Sequence, residues 1–378
     1  MMLAPVVLTL SAVRLATVSG ASLDLCLAEP CGSRLPVAVA VTVTGGITQS
    51  PGWRDGLAVF AHAARRALAN SSRRVDLLAL VPDSLPELEV AAVAELGLTP
   101  RPLPVPVLRD DVQSRFARWS MAKFGCCGDL EGLKYYGAAL LEYERVLVLD
   151  ADVLLLEPID EIFDIPSSHA LVGTYNHNLD ISSSVFPAVQ GGFLLFSPSL
   201  SDFQALVNLT REGDYRAETG WKGSNTGWVY GGVGPQGLLS FYYNQVRPGQ
   251  PGFDPTAPQK GYDVPGNATV QPPGSRFLPL DHSVYNVLVP DLRRMRMWAP
   301  WKAELALAAF DASRVKAFHF SGLCQKPWQC VPTGSLLCEA MTSRWWELRA
   351  ELAGGAHTGR CRVGAMYEPL TTRAVLRQ

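Results

Sequence analysis

Two aspartates one residue apart, Asp150 and Asp152, are the residues whose type and spacing most directly imply chemistry. They follow the apolar run Val146-Leu-Val-Leu149 and are followed at once by Val153-Leu-Leu-Leu156. A short, valine-rich run of that kind suits a strand buried on both faces, so the carboxylates fall where the strand ends. Ionised carboxylates between two buried segments are costly unless something neutralises them, and a bound divalent cation is the most economical partner. Ligands of open α/β sheets collect outside the carboxyl ends of strands, which is where this pair stands. The bare pattern suits a strand-end turn with two solvated aspartates equally well, so the rest of the chain has to decide.

A second group of candidates lies far down the chain. His319 closes another apolar run, and Gly322, Lys326, Pro327 and Trp328 follow it. Magnesium and manganese take oxygen ligands, and manganese also accepts an imidazole nitrogen. A glycine lets backbone come close to a ligand, and a lysine ammonium is a point charge suited to phosphate. Two carboxylates and an imidazole on one ion, beside a lysine, make a site for a diphosphate. A single histidine is as much at home in a core, so this reading requires His319 to reach Asp150 and Asp152.

The elements that must position these groups read as alternating strands and helices. Residues 37–44 and 75–81 are expected as strands around a helix from Trp53 that buries Leu57, Phe60, Ala61, Ala64 and Leu68. Residues 85–96 read as a helix, 105–108 as a third short strand and 114–124 as a helix. The next helix spans residues 130–141, burying Leu130, Leu133, Tyr136, Gly137, Leu140 and Leu141, and feeds the 146–149 strand. Strands at 170–174 and 192–196, helices at 200–210 and 235–244, a late strand at 314–320 and a terminal helix at 335–352 follow. This alternation predicts an α/β fold with a parallel, doubly wound sheet. Residues 248–279 are rich in proline and glycine without periodicity, as a lid or surface excursion would be.

At 378 residues and 48% hydrophobic content the chain can build a large core, which excludes a mainly disordered protein. A net charge of −2 without any basic run gives no support for nucleic acid or an anionic membrane surface as partner. Residues 1–22 are apolar apart from Arg14 and end in small residues, as a secretory signal does, with a weak anchor as the other reading. Eight cysteines, an even number with Cys26, Cys31, Cys324, Cys330 and Cys338 closely spaced, fit an oxidising compartment. Cys324 and Cys330 bracket the Lys326 turn and are candidates to staple it. Asn70-Ser-Ser72, Asn208-Leu-Thr210 and Asn267-Ala-Thr269 match the glycosylation acceptor pattern.

Taken in order, these residues resemble glycosyltransferase family 8, and within it the glycogenin-like members. The resemblance rests on Lys123, Arg145-Val-Leu-Val-Leu-Asp-Ala-Asp152, Ile159-Asp-Glu-Ile-Phe163 and Gly191-Gly-Phe-Leu-Leu-Phe-Ser-Pro-Ser199. Gln236-Gly-Leu-Leu239 and His319-x-x-Gly-x-x-x-Lys-Pro-Trp328 complete it, over residues 37–330. It implies a nucleotide-diphospho-sugar transferase (GT-A, Rossmann-like) domain there, with a C-terminal helix and tail at 331–378 packed on it. It implies a retaining, Mn²⁺-dependent transfer, with Mg²⁺ as the substitute, of a hexose from a UDP-sugar. The acceptor is a glycan, protein or lipid, and the secretory signals place the reaction in the Golgi or ER lumen, or outside the cell.

Carried over by position, Asp150, Asp152 and His319 are the metal ligands. Thr42, Thr44, Trp53, Lys123, Asp150, Ala151, Asp152, Gly322 and Lys326 contact the donor, Trp53 in the place of a uracil-stacking tyrosine. Gln236 and Lys123 act at the reacting centre. Two departures stand out: Pro235-Gln236-Gly237 where the family usually reads Asp-Gln-Gly, and Gln190-Gly191-Gly192 where it often reads Asn-x-Gly. The lost aspartate argues against a double displacement through that residue and leaves a front-face route. It equally suits a non-catalytic sugar-nucleotide- or glycan-binding protein on the same fold. Self-glucosylation does not follow, since nothing singles out Tyr215, Tyr230, Tyr242 or Tyr243 as an acceptor.

Overall fold

A computed structural model describes residues 34–124, 127–175, 188–229, 231–244, 275–289 and 311–354, with Tyr367 and Leu370. The apolar leader, Cys26 and Cys31, Tyr230, the Asn267 acceptor triplet and most of the 248–279 excursion lie outside the described residues.

Strand β1 (Val37–Thr42) turns Val37, Val39 and Val41 into one hydrophobic core and Ala38 and Ala40 into the other. Burial on both faces is the signature of a strand covered by helices on two sides. Helix α1 (Pro51–Leu68) leads to β2 (Val75–Pro82), and α2 (Glu87–Glu95) to β3 (Thr99–Leu103). The third strand thus precedes the expected 105–108 segment. Pro100 and Pro102 are tolerated in β3 because it stands at the sheet edge.

Helix α3 (Arg115–Phe124) and a 3-10 helix over Gly128–Ala138 precede β4 (Arg145–Leu149), which pairs parallel with β1 on the side away from β2. The 3-10 helix replaces the α-helix expected over 130–141. It packs so closely that a Cβ on Gly137 would lie 2.3 Å from the Phe196 ring. Arg145, 1% exposed, anchors the start of β4 by donating to the carbonyls of His169, Ile165 and Pro166 and to the Ser197 hydroxyl. Burial pulls its pKa down to about 10.

After β4 come β5 (Val153–Leu155), α4 (Asp160–Phe163), β6 (Leu171–Tyr175), β7 (Val189–Phe196) and α5 (Leu200–Glu212). A small ribbon, β8 (Tyr215–Arg216) and β9 (Gly220–Trp221), leads to α6 (Pro235–Asn244) and β10 (Phe277–Pro279). β11 (Ala317–His319) and α7 (Leu336–Leu352) complete the described chain. The main sheet has seven strands in the order β10-β6-β7-β4-β1-β2-β3. All its pairings are parallel except those of β7, which runs against both β4 and β6.

The chain therefore winds outward from β1 through β2 to β3, then returns to β4. That reversal opens a crevice at the carboxyl ends of β1 and β4. Helix α7 covers α1, where buried Asp55 accepts from Arg349 at 3.0 Å and from the Leu370 N–H at 2.9 Å. Cys324 is bonded to Cys338, at the start of α7, rather than to Cys330. The staple ties the turn to α7 instead of closing the turn on itself. Among the described residues no helix is long and apolar enough to cross a membrane.

Candidate active site

The crevice between β1 and β4 deepens into a cleft of about 700 Å³. Thr42, Val43 and Thr44 extend into its wall from the end of β1, and Asp150, Ala151 and Asp152 from the end of β4. The loop after β1 is held by Glu89, whose carboxylate accepts from the N–H groups of Ile47 at 2.8 Å and Thr48 at 3.1 Å.

His319 arrives by strand pairing. β5 follows Asp152 directly and pairs antiparallel with β11, in a register that sets His319 opposite Val153. The Phe320 N–H donates to the Asp152 carbonyl at 2.9 Å, locking the two segments at the acidic pair. His319 Nε2 lies 3.3 Å from Asp152 Oδ1 and 4.0 Å from Asp150 Oδ2. Its Nδ1 lies 3.1 Å from Asn286 Oδ1, and the Asn286 amide donates to Thr174 Oγ1 at 2.9 Å and Gln190 Oε1 at 3.1 Å. That network assigns the proton to Nδ1 and turns Nε2 toward the carboxylates. The ring fits because residue 192 is glycine: a Cβ there would lie 2.4 Å from His319 Cε1.

The side chains of Asp150, Asp152 and His319 are 27%, 10% and 4% exposed. Burial on its own would raise the Asp152 pKa. The charge and hydrogen bonds of His319, then of Lys326, outweigh it and hold the carboxyl far below the usual carboxylate range. Lys326 donates to Asp152 and, at 2.6 Å, to the Phe320 carbonyl. Lys134 pairs with Asp150 at 2.6 Å and donates to the Gly191 carbonyl at 3.0 Å. One ligand atom from each of Asp150, Asp152 and His319 lies within 4.8 Å of the other two. Bonds of about 2.0–2.6 Å from one divalent ion span that separation, and two carboxylates with an imidazole suit Mn²⁺.

Trp53, 43% exposed, stands in the cleft wall, not in the core, with its ring 5.4 Å from that of Trp328. Gly322 has φ +68°, and a Cβ there would meet the Val289 carbonyl oxygen at 2.5 Å, so the turn that presents Lys326 requires glycine. Gln236, also in the wall, accepts from the Gly191 N–H at 3.3 Å. The cleft thus gathers Thr42, Thr44, Trp53, Asp150, Ala151, Asp152, Gln236, His319, Gly322 and Lys326.

Lys123 does not line the cleft: it is exposed, its ammonium 5.0 Å from the Trp119 ring centroid. It sits on the outer side of α3, where only its neighbour Phe124 reaches the wall. The lysine of this region that enters the cleft is Lys134, which the sequence reading missed, together with Glu131 and Asn286. The sequence signal for the first two was a period of three: in a 3-10 helix Glu131, Lys134 and Gly137 fall on one line. For Asn286 there was none, since its φ of +53° belongs to an irregular connection.

No protein-family model matches the chain, and no curated protein matches it. Solved structures that resemble it are glycosyltransferases. GlyE of Streptococcus pneumoniae TIGR4 is 14% identical with a TM-score of 0.45, the match covering 84% of this chain and 60% of GlyE. The galactosyltransferase LgtC, in complex with donor and acceptor sugar analogues, is 15% identical with a TM-score of 0.46, over 83% of this chain and 95% of LgtC. Mouse xyloside xylosyltransferase 1 is 14% identical with a TM-score of 0.44, over 75% and 97%. At these identities the likeness is one of fold, and the chemistry of the cleft rests on its own side chains.

Proposed function

We propose that the protein is a retaining glycosyltransferase of the family 8, glycogenin-like kind, moving a hexose from a UDP-sugar with Mn²⁺. The observation that carries this is the convergence of Asp150, Asp152 and His319 with Lys134 and Lys326 in one cleft. Bound by the two aspartates and the histidine, a divalent ion supplies charge neutralisation for a diphosphate. Lys134 and Lys326 direct positive charge to the same place, where negative charge grows as the sugar leaves. Trp53 offers an indole face to a uracil, and Thr42 and Thr44 offer hydroxyls beside it.

On the front-face route the bond from the sugar carbon to the diphosphate oxygen breaks with its electron pair on the diphosphate. The acceptor oxygen bonds to the same face of that carbon, and its proton passes to the departing diphosphate. Helix α6 begins at Pro235, which offers no acid for a covalent intermediate. The Cys324–Cys338 disulfide and a further bonded cysteine, Cys330, support a secretory-lumen or extracellular location. Asn70 and Asn208 are exposed, as acceptors for glycosylation must be.

The test is Mn²⁺-dependent release of UDP from a panel of UDP-hexoses. Asp152→Asn should lower turnover by about 10²–10³-fold or more. Unchanged turnover in that variant would show that the metal site is misassigned. Pro235 also favours a second reading, a sugar-nucleotide-binding protein. That protein would give calorimetric heat with UDP and Mn²⁺ yet turn over no UDP-sugar.

A further inference from the structure

We propose that Glu131 supplies the negative charge that faces the sugar carbon while its bond to the diphosphate breaks, an inference that rests on the transfer chemistry above. Among the described residues three carboxylates line the cleft: Asp150, Asp152 and Glu131. The first two are engaged by Lys134, His319 and Lys326. Glu131 is the third, and its carboxylate accepts from the Cys127 N–H at 3.4 Å. It shares a line of the 3-10 helix with Lys134, one turn or roughly 6 Å away along the axis. Lys134 reaches Asp150, whereas a Glu131 carboxylate oxygen lies within 3.0 Å of where a Cβ on Gly234 would be, at the start of α6. One short helix therefore presents a cation and an anion to the same cleft, and Gln236 and Lys134 meet at Gly191 between them and the acidic pair.

The chemistry needs that anion. As the electron pair leaves with the diphosphate, the sugar carbon gains positive charge, as in other glycosyl transfers. The cations gathered for the diphosphate raise the cost of a positive carbon nearby, and a fixed carboxylate offsets it without reorganisation. Glu131 forms no bond in this step and takes no proton. Its competing role is structural. Its carboxylate at the N-terminus of α6 complements the helix dipole, and it accepts from the Cys127 N–H at 3.4 Å.

Glu131→Gln in the full chain separates the two roles. For the UDP-hexose that the native protein turns over with Mn²⁺, kcat should fall about 10²-fold. KM for the donor and the calorimetric affinity for UDP with Mn²⁺ should stay as in the native chain. A protonated iminosugar, 1-deoxynojirimycin or its galacto epimer, mimics the charged sugar carbon. With UDP and Mn²⁺ present it should bind the variant about tenfold more weakly than the native chain. Glu131→Asp should restore part of both. An unchanged kcat or iminosugar affinity overturns the inference, and so does a lowered melting temperature with kcat and UDP affinity falling and KM rising together. Failure of the native chain to bind UDP would sink the donor site itself. Native UDP binding with an indifferent Glu131→Gln sinks this inference alone.

Discussion

The two walls of the cleft are built in different ways. One lies at the ends of central strands of the sheet, where Thr42 closes β1, Asp150 follows β4 and Gly191 stands near the start of β7, strands whose residues are almost wholly buried. The other is the segment from His319 to Trp328, which follows a strand of three residues. Apolar burial is non-directional and tolerates change of side chain, so the first wall rests on many interchangeable contacts. The second rests on a few that are not interchangeable. Gly322 takes a positive φ, Cys324 is bonded to Cys338, and Asn286 holds the His319 ring. Trp328 fills a notch on α1 where a Cβ on Gly52 or Gly56 would come within 2.5 or 2.6 Å of its ring. A metal site that needs both walls is thus only as well placed as the sparser one.

That contrast breaks most sharply at Gly192, where the walls touch. Gly192→Val drives its side chain into the His319 ring and should abolish Mn²⁺-dependent turnover. The sheet should survive, since overpacking of this kind costs about 1–3 kcal/mol. Mn²⁺ titration alongside circular dichroism reads both parts. Native-like metal binding would mean that His319 does not depend on the strand beside it. Asn286→Ala is the next largest. It removes the partner of Nδ1 without touching a ligand, and should weaken Mn²⁺ binding about 10–100-fold. It also leaves the buried Gln190 amide and Thr174 hydroxyl short of a partner, at about 1–3 kcal/mol of stability. An unaltered Mn²⁺ affinity would show that the ring needs no such support.

The same contrast explains what the sequence disclosed. The Val146–Leu149 run bounded by Asp150 and Asp152 is legible because burial, strand length and the crevice rule act on neighbouring residues. His319 was legible as the end of a strand, whereas its partner β5 is remote in the chain, and no local pattern states that register. The winding of β1 to β4 followed from the alternation of elements, but the reversed direction of β7 did not. Both directions need the same apolar residues. The disulfide partner of Cys324 lies beyond the turn, on a helix that only the packing of α7 on α1 brings near. Lys134 was hidden by periodicity: a stretch read at 3.6 residues per turn is wound at three.

The smallest expected effect concerns Lys123, and it sharpens the boundary of the sheet wall. Its ammonium lies over the Trp119 ring and 5.7 Å from the Phe124 centroid, outside the cleft. A cation–π contact at so exposed a site contributes about 0.5–1 kcal/mol. Lys123→Ala should therefore shift the melting temperature slightly and leave UDP-hexose turnover within about twofold of native, a contribution of that size being to stability alone. Lys134→Ala, whose side chain is 12% exposed and bound to Asp150, should lower kcat and raise KM for the donor. The pair of measurements matters more than either alone. Equal losses in both variants would place α3 over the donor during turnover and extend the sheet-side wall out to Lys123.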